Sequence, residues 1–178
     1  MKNGTERLTG RRIYLRRLDV SDATAAYAGW LNDPEVNRFL DTKSATLKSV
    51  QDYIQTKNQK DNVFLFGIFV KAGDHHIGTI KLDPIDYRAK KATMAVMVGD
   101  KAYWGKGLGR EAIRLLTEYG FTALGLQEIW LGVQRANRAA ITAYAKLGFT
   151  EVPISPTDDQ LAFDPNIYNE INMVLTHT

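Results

Sequence analysis

Along the 178 residues the apolar positions change period several times, and each change marks an element. Ile13 and Leu15 alternate with arginines in segment 11–17, which predicts an opening strand with one wet face. Ala23, Tyr27, Trp30 and Leu31 then lie on one helical stripe that Ser21 or Asp22 can cap and Asp33-Pro34 ends. A second helix is expected from Thr46 through Leu47, Val50 and Ile54. The continuous apolar run 63–70 has the length of a buried strand, a hairpin turn follows over 71–76, and strands over 77–85 and 91–99 flank the charged turn 86–91. Ala112, Leu115, Leu116 and Tyr119 predict a helix over 108–121, and 128–134 reads as a strand. Asn137 caps a helix carrying Ala140, Ile141, Tyr144 and Leu147, which Gly148 ends. A loop with Pro153, Pro156, Asp158, Asp159 and Pro165 leads to a last strand over 171–175.

The chemistry concentrates where a strand hands over to a helix, at Tyr103-Trp-Gly-Lys-Gly-Leu-Gly-Arg-Glu111. Glycine permits positive φ and bares the main chain, so successive N–H groups can converge on an anion at the positive end of a helix. The ligand this predicts carries a pyrophosphate. A nucleoside-triphosphate loop is excluded, because Gly105-Lys106 is followed by Gly107 where that loop needs Ser or Thr. A dinucleotide fold is excluded too, because the glycines come past the midpoint of the chain instead of after its first strand. Taken alone, three glycines fit a flexible turn equally well.

With 44% hydrophobic residues the chain holds one well-buried core and is too short for two ordinary domains, so one α/β domain over 1–178 is expected. The longest apolar run is far below a membrane span and the amino terminus lacks a signal peptide's apolar stretch, which predicts a soluble cytoplasmic protein. The absence of cysteine excludes disulfides, thiolate metal sites and a cysteine nucleophile, and none of the serines sits in a Gly-x-Ser-x-Gly elbow. Four arginines in 11–17 raise a nucleic-acid reading, but a solvated strand face explains them better, since no second basic cluster or aromatic ladder accompanies them. His75 and His76 point to opposite faces if they lie on a strand, and no further His or Cys cluster completes a site, so no metal is assigned.

The order strand, glycine loop, helix, strand, helix, Gly-Phe over 92–150 resembles the cofactor-binding half of the GNAT N-acetyltransferases. Their phosphate loop, Gln/Arg-x-x-Gly-x-Gly/Ala, is matched by Gly107 and Gly109, with Trp104 at the Gln/Arg position. Their later signature, Asn-x-x-Ala/Ser-x-x-x-Tyr-x-Lys-x-Gly-Phe, is matched by Asn137, Ala140, Tyr144, Lys146, Gly148 and Phe149. The resemblance implies a single-domain, mixed but largely antiparallel sheet of six to seven strands flanked by about four helices. It also implies a splayed gap between the fourth strand, 92–99, and the fifth, 128–134. Acetyl-coenzyme A is then the cosubstrate and a primary amine the acceptor, with direct transfer in a ternary complex and no nucleic-acid or membrane partner; a homodimer stays open. The cofactor-binding residues implied are Met97 and Val98 on the fourth strand, Trp104, Gly105, Lys106, Gly107, Leu108, Gly109 and Arg110 in the loop, and Asn137, which can also serve as a helix cap.

Tyr144 is the candidate general acid, and a core aromatic is the alternative. Thr93 stands where many relatives carry a glutamate base; a threonine cannot take the proton, but it can hold a water that does. Asp83 and Asp86 are the nearest carboxylates, for which turn chemistry is the preferred reading. Segment 30–39 resembles the branch of ribosomal-protein alanine acetyltransferases and amino-sugar acetyltransferases, which offers Asn37 and Arg38 as acceptor contacts and small amines, amino sugars or protein amino termini as acceptors. The contrasting reading is a non-catalytic acyl-coenzyme A sensor that has lost its base.

Overall fold

The computed structural model describes residues 6–153 and 169–177. An eight-stranded sheet runs in the order β1 (Arg7–Thr9), β2 (Ile13–Arg17), β3 (Phe64–Val70), β4 (His75–Asp86), β5 (Lys91–Val98), β6 (Glu128–Gln134), β8 (Glu170–Thr176), β7 (Thr150–Val152). Every neighbouring pair is antiparallel except β5 and β6. Four helices flank it: α1 (Ala25–Asn32), α2 (Leu47–Asn58), α3 (Leu108–Thr122) and α4 (Arg138–Ala145). The count exceeds the six to seven strands expected because β1 and β7 are three-residue edge strands, too short to show a period. The strands expected to be fourth and fifth are therefore β5 and β6. The loop residues Pro156 to Pro165 lie outside the described residues.

Side chains alternate across the sheet, so two cores form, one on each face. Ile13, Leu15, Phe66, Ile80, Leu82 and Met94 face α3, where Leu116 and Ala112 are fully buried. Tyr14, Leu65 and Phe69 face α1 and α2 with Tyr27, Val50 and Ile54. The first helix starts later than expected, at Ala25 with Thr24 as its cap. Asp22 is engaged elsewhere: its carboxylate takes both Arg16 guanidinium nitrogens at 2.8 and 2.6 Å. Asp19 caps the short 3-10 turn that Val20–Asp22 forms instead. The second helix begins as its Thr46-x-x-Ser49 pattern directs, with reciprocal side-chain to backbone bonds closing a capping box.

The arginines of the opening strand scatter. Arg16 pairs with Asp22 over the Phe69 ring, Arg17 lies over Phe64 and Phe66, and Arg12 reaches α3. They make no common basic face.

Strand β4 can approach β5 only because residue 78 has no side chain: a Cβ on Gly78 would stand 2.1 Å from the Met97 carbonyl oxygen. Gly78→Ala is therefore expected to destabilise the fold by about 3 kcal/mol, at the upper end of overpacking costs. A urea denaturation midpoint unchanged from wild type would show that the two strands can part without cost.

Candidate active site

The parallel ladder between β5 and β6 lasts only three residues, Lys91, Ala92 and Thr93 opposite Glu128, Ile129 and Trp130. Beyond Thr93 the strands part. β5 remains tied to β4, and β6 to β8, so the far end of β5 has one open edge. The direction of its amides follows from three bonds. Gln127 N–H donates to Lys90 O at 2.6 Å on the β6 side, Gly99 N–H donates to Ile77 O at 2.8 Å on the β4 side, and the Trp104 indole donates to Val98 O at 2.7 Å. Backbone groups of alternate strand residues point opposite ways, so Val96 and Val98 present their N–H to the gap while the Met97 amide turns to β4. Met97 reaches the cavity with other atoms.

The gap opens into a cavity of about 560 Å³ lined by Met94 to Val98, Trp104, Gly132 to Gln134, Asn137, Tyr144 and Glu170, with Glu35, Val36 and Arg38 to Asp41 completing its wall. Asn137 accepts the Ala140 N–H at 3.2 Å and caps α4. That helix carries Tyr144 into the cavity. Its ring packs 5.8 Å from Phe149, and its hydroxyl meets no hydrogen-bond partner among the described residues. Burial pushes the Tyr144 phenol up to about 12, so it is neutral and able to donate across the physiological range.

At the mouth of the gap the glycine loop turns into α3. Gly105 and Gly107 both take left-handed φ, +71° and +74°, and a Cβ on Gly105 would meet nothing within 4 Å. Gly109 lies against β5, where a Cβ would stand 3.3 Å from a Val98 methyl. The first intrahelical bond is donated by Glu111 to Gly107 O at 3.2 Å, so the N–H groups of Leu108, Gly109 and Arg110 precede it and have no acceptor within the helix. Left-handed glycines, free helix-end amides and the cations Lys106 and Arg110 fit a pyrophosphate.

One residue of this loop's surroundings escaped sequence reading. Arg12, counted there among solvated arginines, donates to Lys106 O at 2.7 Å and pairs with Glu111 at 3.0 Å. Glu111 also accepts the Arg12 backbone N–H at 2.8 Å. Burial disfavours the Glu111 charge, but these bonds outweigh it and hold its carboxyl below the usual range. Arg12 thus joins the β1–β2 hairpin to the loop and adds a third cation there. The signal was out of reach, since Arg12 and Glu111 are 99 positions apart.

The acceptor-side expectations change. Thr93, the last paired residue, lines a separate depression of about 430 Å³ with Asp86, Lys91 and Trp130, and is not among the residues that line the Tyr144 cavity. Asn37 is buried, and its amide donates to Leu31 O at 2.8 Å and Lys43 O at 3.1 Å, which stitches the loop and turns both N–H groups away from any ligand. Arg38 does line the gap cavity. Asp83 bonds Lys57 and Lys81, and Asp86 accepts the Ala89 N–H at 2.8 Å in the turn. His75 contacts Asp100 at 3.0 Å and His76 contacts Gly78 O at 2.9 Å; no group of three or more metal-binding side chains occurs among the described residues. No helix among those residues is long and apolar enough to cross a membrane.

Next to the gap lies a second cavity of about 420 Å³, between α1, α2 and the sheet. Leu40, Asp41, Ala95, Val96 and Met97 line both, so the two spaces meet along β5.

Residues 12–150 match the family model for the acetyltransferase (GNAT) domain. The chain belongs to the GNAT acetyltransferases. As a GNAT N-acetyltransferase it uses acetyl-coenzyme A as cosubstrate. It is 32% identical over 148 residues to the uncharacterised N-acetyltransferase p20 of Bacillus licheniformis, spanning 81% of this chain and 82% of that protein. It is 28% identical over 137 residues to spermidine N(1)-acetyltransferase of Escherichia coli, spanning 77% and 66%. In fold it is similar to the Vibrio cholerae spermidine N-acetyltransferase solved with CoA and spermine, with a TM-score of 0.77 at 20% identity over 93% of this chain and 95% of that one.

Proposed function

We propose that this GNAT protein moves an acetyl group from acetyl-coenzyme A directly to a primary amine, with both substrates bound at once. The observation that carries this reading is the meeting of two cavities along β5, one bounded by Tyr144 and the glycine-loop strand end, the other by α1 and α2. Loop amides from Gly105 to Arg110, with Lys106, Arg110 and Arg12, hold the pyrophosphate. The Val96 and Val98 amides receive the pantetheine arm, with Asn137 and Trp104 beside it.

The amine nitrogen attacks the thioester carbon, the C–N bond forms and the C–S bond breaks. Tyr144 donates its phenolic proton to the departing thiolate. One ammonium proton of the acceptor leaves through Asp41 before attack, Asp41 being, among the described residues, the one carboxylate lining both cavities, and the second proton on nitrogen returns to the Tyr144 phenolate once the C–S bond has broken. Thr93, which does not line the Tyr144 cavity, is given no part in this step. Amines, amino sugars and protein amino termini all satisfy this chemistry, and the polyamine relatives belong to the same class.

Release of free thiol from acetyl-coenzyme A in the presence of a panel of primary amines tests the reading. Amine-dependent release is expected. Tight binding of acetyl-coenzyme A without release on any amine would instead mark a sensor.

A further inference from the structure

The second cavity has charges of opposite sign at different places. Asp41 stands where it joins the gap, in reach of both spaces. The sheet wall carries Lys81, whose ammonium bonds Asp83 at 3.0 Å; Asp83 also bonds Lys57. Two ammonium groups on one carboxylate leave a net positive charge. Both ammonium groups lie near the Tyr53 ring, at 5.6 and 5.7 Å, and Tyr53 also lines the cavity. Although burial works against its charge, the Tyr53 phenol and Asp83 hold the Lys81 ammonium above its ordinary range. Lys81 therefore stays charged. The remaining wall is apolar or hydroxylic: Tyr27, Leu31, Val50, Ser44, Ser49 and Thr79.

We infer that the acceptor is an amine whose opposite end is anionic, a carboxylate being the group that Lys81 and Tyr53 are built to meet while the amine lies beside Asp41 at the gap. This rests on the acetyl-transfer reading and narrows it. A second ammonium, as in a polyamine, would sit against Lys81 and lose affinity. An anionic end replaces that repulsion with a charge-assisted hydrogen bond.

The probes are three chains of equal length, ε-aminocaproate, hexylamine and hexamethylenediamine, which differ only in the distal group. Binding is read by calorimetry on the complex of the full chain with coenzyme A, and turnover by thiol release with acetyl-coenzyme A. ε-Aminocaproate is expected to bind about tenfold tighter than hexylamine, with hexamethylenediamine weakest. In Lys81→Met the ratio of ε-aminocaproate to hexylamine affinity should fall towards one, and Lys81→Arg should restore it. If Lys81→Met does not fold, the wild-type ranking decides alone. Equal affinities, tighter binding of hexamethylenediamine, or binding of none of the three would overturn the inference. Turnover without the anionic preference would sink it while leaving acetyl transfer standing; the preference without thiol release on any probe would sink acetyl transfer and, with it, the reading of the bound amine as an acceptor.

Discussion

Replacing Gly107 with glutamate is expected to abolish the thermal stabilisation that acetyl-coenzyme A confers. In the wild type a ligand at one hundred times its Kd adds about 2.7 kcal/mol to the folded state, a shift readily seen in a melting curve. Position 107 is the left-handed cap of α3, with φ +74°, immediately before the free amides of Leu108 to Arg110. A carboxylate there places a negative charge where the proposed site takes the two phosphates. It would also draw off the counter-charges, because a Cβ at 107 stands 3.2 Å from an Arg110 guanidinium nitrogen and 3.6 Å from one of Arg12. The strain of a left-handed non-glycine residue costs about 1 kcal/mol or more by itself. Gly107→Ala separates the two effects: it shares the strain, lowers the melting temperature of the free protein and keeps most of the ligand-induced shift. Full stabilisation of Gly107→Glu by acetyl-coenzyme A would remove the pyrophosphate from this loop.

The second large effect is expected from Tyr144→Phe, which should lower kcat about a hundredfold or more while the Kd of acetyl-coenzyme A stays near the wild-type value. The substitution removes one oxygen and leaves the ring packed against Phe149, 5.8 Å away. The hydroxyl has no hydrogen-bond partner among the described residues, so its loss breaks no internal bond. A fall in kcat therefore reports proton donation, whereas a core aromatic would show an unchanged rate. The pH dependence has a defined sign. Burial raises the folded-state value from 10.0 to about 12, so the donor remains protonated and the wild-type rate should not decline on its account until pH nears about 12. The same shift links to stability: the neutral phenol favours the folded state fully below pH 10.0, and that contribution is lost as pH rises from there to about 12.

The elements of the cofactor half were legible because their signals are local. Gly105, Gly107 and Gly109 stand together at a helix start, and Asn137 caps the one helix that carries Tyr144. The acceptor half was not, because it is assembled across elements. Asn37 looked like a polar contact in a loop, and only the positions of Leu31 O and Lys43 O show that its amide closes that loop instead. Thr93 occupies the expected strand position, yet the strands part just after it and leave it outside the Tyr144 cavity.

Periodicity and glycine spacing were enough for the order of elements, the glycine-rich start of α3 and the family, since each depends on residues within one or two turns of the chain. The point at which β5 leaves β6, the Arg12–Glu111 clamp on the loop, and the Lys57–Asp83–Lys81 cluster beside the second cavity depended on the folded chain. Arg12 with Glu111, and Lys57 with Asp83, are separated along the chain by distances that carry no periodic trace, and a charge acts on a ligand through distance in space, not position in sequence.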